Sequence, residues 1–171
     1  AIKEENLRRP TGVVSCEIID RFKVGDTIMG SLPAGTFQLE AEANHHLFIA
    51  GGIGVTVVVA LIKQLQKDDK VNKATLIQCA NTKAHAAFSN ELQSILSPNE
   101  YHLLCDDQNQ LINVELLKTV LKPDTHVYLC GSVVFMDVVQ GYLDECGHTS
   151  SQTHVEAFQP SLSIIKGAVK D

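Results

Sequence analysis

No cluster of lysines or arginines interrupts this chain of 171 residues: its 14 basic side chains are scattered among 20 acidic ones, and the net charge is −6. A surface without a basic stripe does not neutralise a phosphate backbone, so nucleic acid is not an expected partner. Long apolar runs are missing as well. The longest, Ile53 to Ile62, is broken by Gly54 and Thr56 and is too short to span a bilayer. The opening residues lack the basic-then-apolar pattern of a secretory leader. Cysteine is sparse and odd in number: Cys16, Cys79, Cys105, Cys130 and Cys146 stand far apart, with no CxxC, no CxxxxC and no Cys/His cluster. Zinc and iron–sulfur ligation within the chain are therefore not expected, and no metal site is assigned. Three of the five lie in apolar stretches, as free thiols of a reducing cytosol would; a cytoplasmic location is the expectation. The seven histidines show no ligand spacing, and neither repeats nor low-complexity tracts are present.

What remains is an ordinary globular composition, 44% hydrophobic and 20% charged, enough for one full core and part of a second. From His45 onward, short apolar runs alternate with amphipathic stretches. The runs are His46–Ala50, Ala74–Cys79, Tyr101–Cys105, Thr125–Cys130 and Thr153–Phe158. Helical spacing is expected over Val55–Gln66, Ala84–Leu96, Asn113–Leu121 and Val133–Cys146. Apolar runs of this length separated by helices predict βαβ units, hence an α/β fold with an open parallel sheet and helices on both faces. Right-handed crossovers place every strand's carboxyl end at one edge, where such sheets bind ligands. The first 40 or so residues read differently. Ala1–Glu5 is expected as an edge strand. Lys23–Ile28 and Leu32–Phe37 are expected as antiparallel strands and tight turns. Forty such residues do not close a barrel, so residues 1–42 read as the C-terminal part of a β-barrel domain. Residues 43–160 then form the α/β domain, and 161–171 a tail or linker.

Gly51-Gly-Ile-Gly-Val-Thr56 falls where the first strand meets the first helix. Glycines let a backbone approach a diphosphate, and the helix's free amides offer it partial positive charge. Thr56 adds a hydroxyl. The spacing fits neither GxGxxG nor the P-loop, so neither motif is assigned. A Gly-Gly-x-Gly turn also serves as a plain tight connection.

Three segments occur in order at strand ends: Ala50-Gly-Gly-Ile-Gly-Val-Thr56, then Tyr128-Leu-Cys-Gly131 with Phe135-Met136, then His154-Val-Glu-Ala-Phe158. This set resembles the ferredoxin–NADP reductase superfamily, in which a flavin-binding barrel precedes a nucleotide-binding α/β domain. Gly12-Val-Val-Ser15, Val24-Gly-Asp26 and Pro33-Ala-Gly-Thr-Phe37 look like the end of that flavin domain. The Pro-Ala-Gly-x-Phe turn is similar to that of flavohaemoglobin reductase portions, and Asp106-Asp107 to phthalate dioxygenase reductases. The resemblance covers roughly residues 1 to 160. Three features depart from it. Val57 and Ser132 stand where the family usually has proline, and the flavin-stacking Arg-x-Tyr/Phe-Ser/Thr motif is absent from this sequence.

The resemblance implies roles. Gly51, Gly52, Gly54, Val55 and Thr56 would cradle a nicotinamide nucleotide's diphosphate; Gly131, Phe135 and Met136 would complete the cradle. Cys130 would lie beside the nicotinamide, with Glu156 orienting the reacting centre and Phe158 covering the flavin ring. Asn81, Thr82 and Lys83 would read the adenosine ribose, and the absence of arginine there favours NADH over NADPH. Gly12, Val14 and Ser15 would face the flavin phosphates. Plainer readings stand beside these: an N-cap for Ser15, a buried small hydrophobe for Cys130, core packing for Phe158, and, against a metal or ribose site at Asp106-Asp107, a solvated loop cap, which is the favoured reading. Nothing adjacent in sequence activates Cys130 as a nucleophile.

The implied function is an NAD(P)H-dependent flavin oxidoreductase, represented here by a fragment. FAD (or FMN) would be bound mostly by residues outside this chain, in a flavin domain upstream or in trans. Electrons would go on to a haem, iron–sulfur or oxygenase partner. Two other readings remain open: a degenerate nucleotide-sensing domain without reductase activity, and an α/β transferase using the glycine loop for another phosphate. The transferase leaves Glu156 and Phe158 unexplained.

Overall fold

The structure, a computed structural model, describes residues 13–30 and 35–157. The chain divides into two units, Ala1–Thr36 and Phe37–Asp171. In the first, the helix α1 spans Val13–Arg21, with an Arg21–Glu17 ion pair at 2.6 Å one turn apart on its surface. The expected strand over Lys23–Ile28 is not formed. That stretch is exposed and turns at Lys23–Asp26, where the Asp26 amide donates to the Lys23 carbonyl at 3.1 Å and the Asp26 carboxylate accepts from the Lys23 amide at 2.8 Å. Gly25, at φ +104°, supplies the reversal. A strand needs a partner, and none of the described residues pairs with this one. Ala1–Glu5 and Gly12 lie outside the described residues, as do the first half of Leu32–Phe37, Phe158 and the 161–171 tail.

The second unit is the expected parallel sheet. Its strands are β1 His45–Gly51, β2 Ala74–Ala80, β3 Tyr101–Cys105, β4 Thr125–Gly131 and β5 Thr153–Ala157. They are ordered β3-β2-β1-β4-β5, and every pairing is parallel. The helices are α2 Val55–Lys67, α3 Ser89–Ile95, α4 Val114–Val120 and α5 Val133–Glu145. On one face, Phe48, Ala50, Leu76 and Tyr128 pack against Val55, Val58, Val59 and Ile62 of α2 and Leu92 of α3. On the other, Leu47, Ile49, Ile77, Val127 and Leu129 meet Leu117 and Val120 of α4 and Met136, Val139 and Leu143 of α5. Strands covered on both faces are apolar at most positions, which is why the sequence shows near-continuous runs and no alternation. No helix among the described residues is long and apolar enough to cross a membrane.

Polar residues at the strand starts complete the framework. His45 bridges three strands: Nδ1 lies 2.9 Å from Thr125 Oγ1 and Nε2 lies 2.9 Å from Thr75 Oγ1. Burial, with the Lys122 charge second, lowers its pKa to about 4, so the ring is neutral at pH 7. The α2 helix ends at Asp68-Asp69: Asp69 is left-handed at φ 56°, and the Lys70 amide returns to the Leu65 carbonyl at 2.8 Å.

The expected helix over Ala84–Leu96 is cut in two. A short 3₁₀ turn covers Lys83–His85, and α3 begins only at Ser89 because Phe88 sits at φ 61°. The cause is tertiary. The buried Gln78 side chain donates to the Ala87 carbonyl at 3.0 Å and accepts from the Tyr101 hydroxyl at 2.7 Å, while Phe88 packs on the α2-side core. A carbonyl held by Gln78 does not continue a helical ladder.

Candidate functional site

The strand order reverses direction between β1 and β4, so the crevice at their carboxyl ends is the sheet's topological switch point. The glycine loop and the Cys130-Gly131 pair both fall there. Ala50 of β1 and Cys130 of β4 are register partners, and Cys130 is in turn partner to Glu156 of β5. Gly51, Gly52, Gly54, Cys130, Gly131 and Glu156 therefore share one edge.

The glycines are there for different reasons. A Cβ on Gly54 would fall 2.3 Å from the Cys130 carbonyl oxygen and 2.7 Å from its carbon, so the loop lies directly on the β4 backbone. A Cβ on Gly51 would come 2.8 Å from Cδ1 of Phe135, and one on Gly131 2.7 Å from the same atom. The Phe135 ring thus lies over both glycines, which brings α5 close to the two central strands. Gly52 alone is not explained by packing. Nothing lies within 4 Å of its hypothetical Cβ, and its φ is +55°. It is exposed, and the space above it is open.

Behind Gly52 the α2 N-terminus has no side-chain cap and no acidic residue in its first turn. A 3₁₀ turn over Gly52–Gly54 leads into α2, and the Val55 amide donates to the Gly52 and Ile53 carbonyls, so the positive end of the helix dipole falls on the glycine loop itself. The Thr56 hydroxyl donates to the Ile53 carbonyl at 3.0 Å, bracing the loop. Val57, in the first turn of α2, stands where a proline would also be tolerated. Ser132 sits at φ −70°, an angle proline would adopt, and its hydroxyl accepts from the Phe135 amide at 3.3 Å. At this second departure a serine cap keeps the backbone direction.

Cys130 is wholly buried, and burial first, with the Glu156 carboxylate second, pushes its thiol up to about 11. A group held protonated this way is not a nucleophile at pH 7. Glu156 is half-buried on the edge strand beside it. Met136 is buried in the α5-side core. Asn81 and Lys83 are exposed after β2, and Thr82 Oγ1 lies 2.8 Å from His85 Nδ1. The Asp107 amide donates to the Asn81 carbonyl at 3.0 Å, tying the ends of β2 and β3 together. Asp106 and Asp107 are exposed, and no group of three His, Cys, Asp or Glu among the described residues could hold a metal. Val14 and Ser15 fall in the first turn of α1, in the other unit.

Sequence reasoning missed a hollow of about 180 Å³ beside this edge, lined by Cys79, Asp106, Gln110, Leu111, Phe135 and Val138 among others. Leu111 is 61% exposed in a loop and Val138 is 46% exposed on α5. The one clue in the sequence was a leucine in a polar segment. Its partners come from three separated stretches, which spacing alone does not join.

The sequence profile described as the dimethylamine monooxygenase subunit DmmA-like, N-terminal domain matches residues 27–153. Flavohemoprotein A of Dictyostelium discoideum is 28% identical over 171 aligned residues, covering 95% of this chain and 43% of that protein. The flavohaem-like FAD/NAD-binding domain of nitric oxide dioxygenase from Vibrio cholerae O1 biovar El Tor superposes with a TM-score of 0.79 at 25% identity. That superposition covers 93% of this chain and 70% of the other. Phthalate dioxygenase reductase, described as a modular structure for electron transfer from pyridine nucleotides to a 2Fe-2S centre, gives a TM-score of 0.76 at 28% identity. It covers 94% of this chain and 49% of the other. The chain spans less than half the length of the curated relatives it matches first. Both kinds of protein that the motifs resemble, flavohaemoglobin reductase portions and phthalate dioxygenase reductase, are thus among its relatives in sequence or in structure. With the profile matched over most of its length, the chain belongs to the DmmA-like N-terminal domain family, a ferredoxin reductase-like family resembling flavohaemoglobin reductase domains.

Proposed function

We propose that this chain is the pyridine-nucleotide half of an NAD(P)H-dependent flavoprotein reductase that delivers electrons to a haem, iron–sulfur or oxygenase partner. The observation that carries this reading is Gly52: a left-handed, exposed glycine with open space above it, at the switch point and in the 3₁₀ turn that opens α2, an end with no side-chain cap and no acidic residue in its first turn. The described residues fit a dinucleotide. Loop amides and the first turn of α2 would hold its diphosphate. Asn81, Thr82 and Lys83, with the Leu111 hollow nearby, would take the adenosine end, and a single lysine there favours NADH.

When bound, nicotinamide supplies a hydride and flavin accepts it. The chain's own residues fix distance and angle. Cys130, neutral and buried under Gly54, forms the floor of the edge. Glu156 offers a carboxylate acceptor on the next strand, and Phe158 would cover the ring site. No acid or base is required. The flavin phosphates would meet Gly12, Val14 and Ser15, while the rest of the flavin would be held by residues this chain lacks.

Equilibrium titration with NADH tests the reading. Saturable micromolar binding is expected, weakened at least about tenfold by Gly52→Val, which combines a disfavoured φ with a filled approach. Absence of saturable binding by the folded protein would overturn it. Dye reduction by the flavin-loaded whole protein separates a reductase from a nucleotide sensor, which would bind NADH and remain inert.

A further inference from the structure

The β5 side of the sheet is left partly bare. β5 pairs only with β4, and its Val155 is the register partner of Leu129, so the two side chains lie on one face, the face that α4 and α5 cover. Leu129 is wholly buried there, yet Val155 is 40% exposed. α5 therefore stops short of the edge strand, and a groove runs between them. Val133, Asp137, Gln140 and Asp144 follow one another at i, i+4, i+7 and i+11 and line it from the helix side. Gln140 and Asp144 meet Ser150 and Thr153 around a cavity of about 210 Å³, which shows that this helix face is turned to β5.

The groove is apolar at one end, where Val133 is 41% exposed as well. Along its length it is acidic. Asp137 and Asp144 are exposed, α5 holds no lysine or arginine, and neither carboxylate has an ion-pair partner among the described residues. Sheets ordinarily protect an edge strand that carries bare apolar side chains.

The chain itself brings a cover to the mouth of this groove. Ala157, the last residue of β5, is the register partner of Gly131, about 4.8 Å away by ordinary strand spacing, and α5 starts at Val133. Residues 158–171 thus set out beside the first turn of α5. From Val133 to Asp144 the helix rises about 16 Å, whereas 158–171 reach about 45 Å when extended. Their sequence carries Leu162, Ile164, Ile165 and Val169, with Lys166 and Lys170 against the single acid Asp171.

We propose that residues 158–171 turn back along α5 and fill this groove, with Leu162, Ile164 and Ile165 on Val133 and Val155 and the two lysines on Asp137 and Asp144. The order of residues fits the direction of the groove. The apolar side chains come first, at its apolar end; Lys166 follows towards Asp137, and Lys170 towards Asp144. Charge selects this occupant over a second copy of the chain, because two copies at net charge −6 repel and a second α5 would set acid against acid.

The test uses the full chain without nucleotide or flavin. Zero-length carbodiimide coupling, read by peptide mass spectrometry on the monomer fraction, should join Lys166 or Lys170 to Asp137 or Asp144 in preference to other exposed acids such as Asp68 and Glu115. Leu162→Asp, Ile164→Asp and Ile165→Asp combined change the tail alone. In that variant, amide hydrogen exchange over Thr153–Ala157 should quicken at least about fivefold, because an uncovered edge strand opens more readily, while β1 is unchanged. Couplings spread evenly over the surface, couplings found only between two molecules, or unchanged exchange in the triple variant would each overturn the proposal. The outcome is independent of the reductase reading, since no cofactor takes part.

Discussion

Two glycines three positions or fewer apart can be needed for opposite reasons, and the difference is measurable. Gly54→Ala drives a methyl into the Cys130 carbonyl, a backbone atom that cannot rotate away. We expect a loss of about 3 kcal/mol or more in urea unfolding. Gly52→Ala meets no atom and pays only for its φ, about 1 kcal/mol. Stability should rank Gly52→Ala well above Gly54→Ala. Equal losses would contradict the close approach of loop and strand. Cys130 makes a second residue-scale case. With its thiol pushed up to about 11 from the usual 9, iodoacetamide labelling near pH 8 should run about a hundredfold slower at Cys130 than in the urea-unfolded chain. The local sequence named both residues as candidates, but it held no information on what stands against them.

Among the secondary-structure elements, all five strands and three of the helices fall where hydrophobic runs and helical spacing place them. Local pattern suffices when an element's partners are generic apolar faces. The helix around Phe88 was misread because its interruption is specified elsewhere, by Gln78 on a strand and Tyr101 on another. Gln78→Ala removes both bonds and leaves the Tyr101 hydroxyl and Ala87 carbonyl unmet. We expect about 2–4 kcal/mol lost, with hydrogen exchange accelerated first in α3. The left-handed cap of α2 predicts the opposite sign: Asp69→Gly relieves a φ of 56° and should stabilise by about 0.5–1 kcal/mol. A destabilised Asp69→Gly would show that the aspartate side chain matters more than the backbone angle. Around Lys23–Ile28, turn residues overrode the strand reading because Asp26 and Gly25 satisfy the backbone locally.

For the molecule as a whole, the buried histidines set how the fold responds to acid. The folded state lowers His45 from 6.5 to about 4, so it binds that proton less readily than the unfolded chain does. Stability is therefore complete above about pH 6.5 and falls as pH drops towards 4, where the effect saturates. By pH 5 His45 alone accounts for about 2 kcal/mol, and His46, lowered to the same value, shifts stability in the same direction. Urea midpoints measured from pH 7 to 5 should fall, and more steeply than in a His45→Gln variant. A flat profile would mean that burial does not hold the ring neutral in the folded state.

The order of apolar runs, with glycine, Cys-Gly and Glu-x-Phe at their ends, was enough to determine a parallel α/β sheet and to place Gly51, Gly52, Gly54, Cys130, Gly131 and Glu156 at one edge. That much follows because burial on two faces demands continuous apolar strands and right-handed crossovers align their ends. Only the tertiary structure divided those residues into packing glycines and an open one. It also decided the break at Phe88, the hollow beside Leu111 and the groove between α5 and β5. Each of these depends on atoms brought within a few ångströms from distant parts of the chain, and such contacts leave no periodic trace in the sequence.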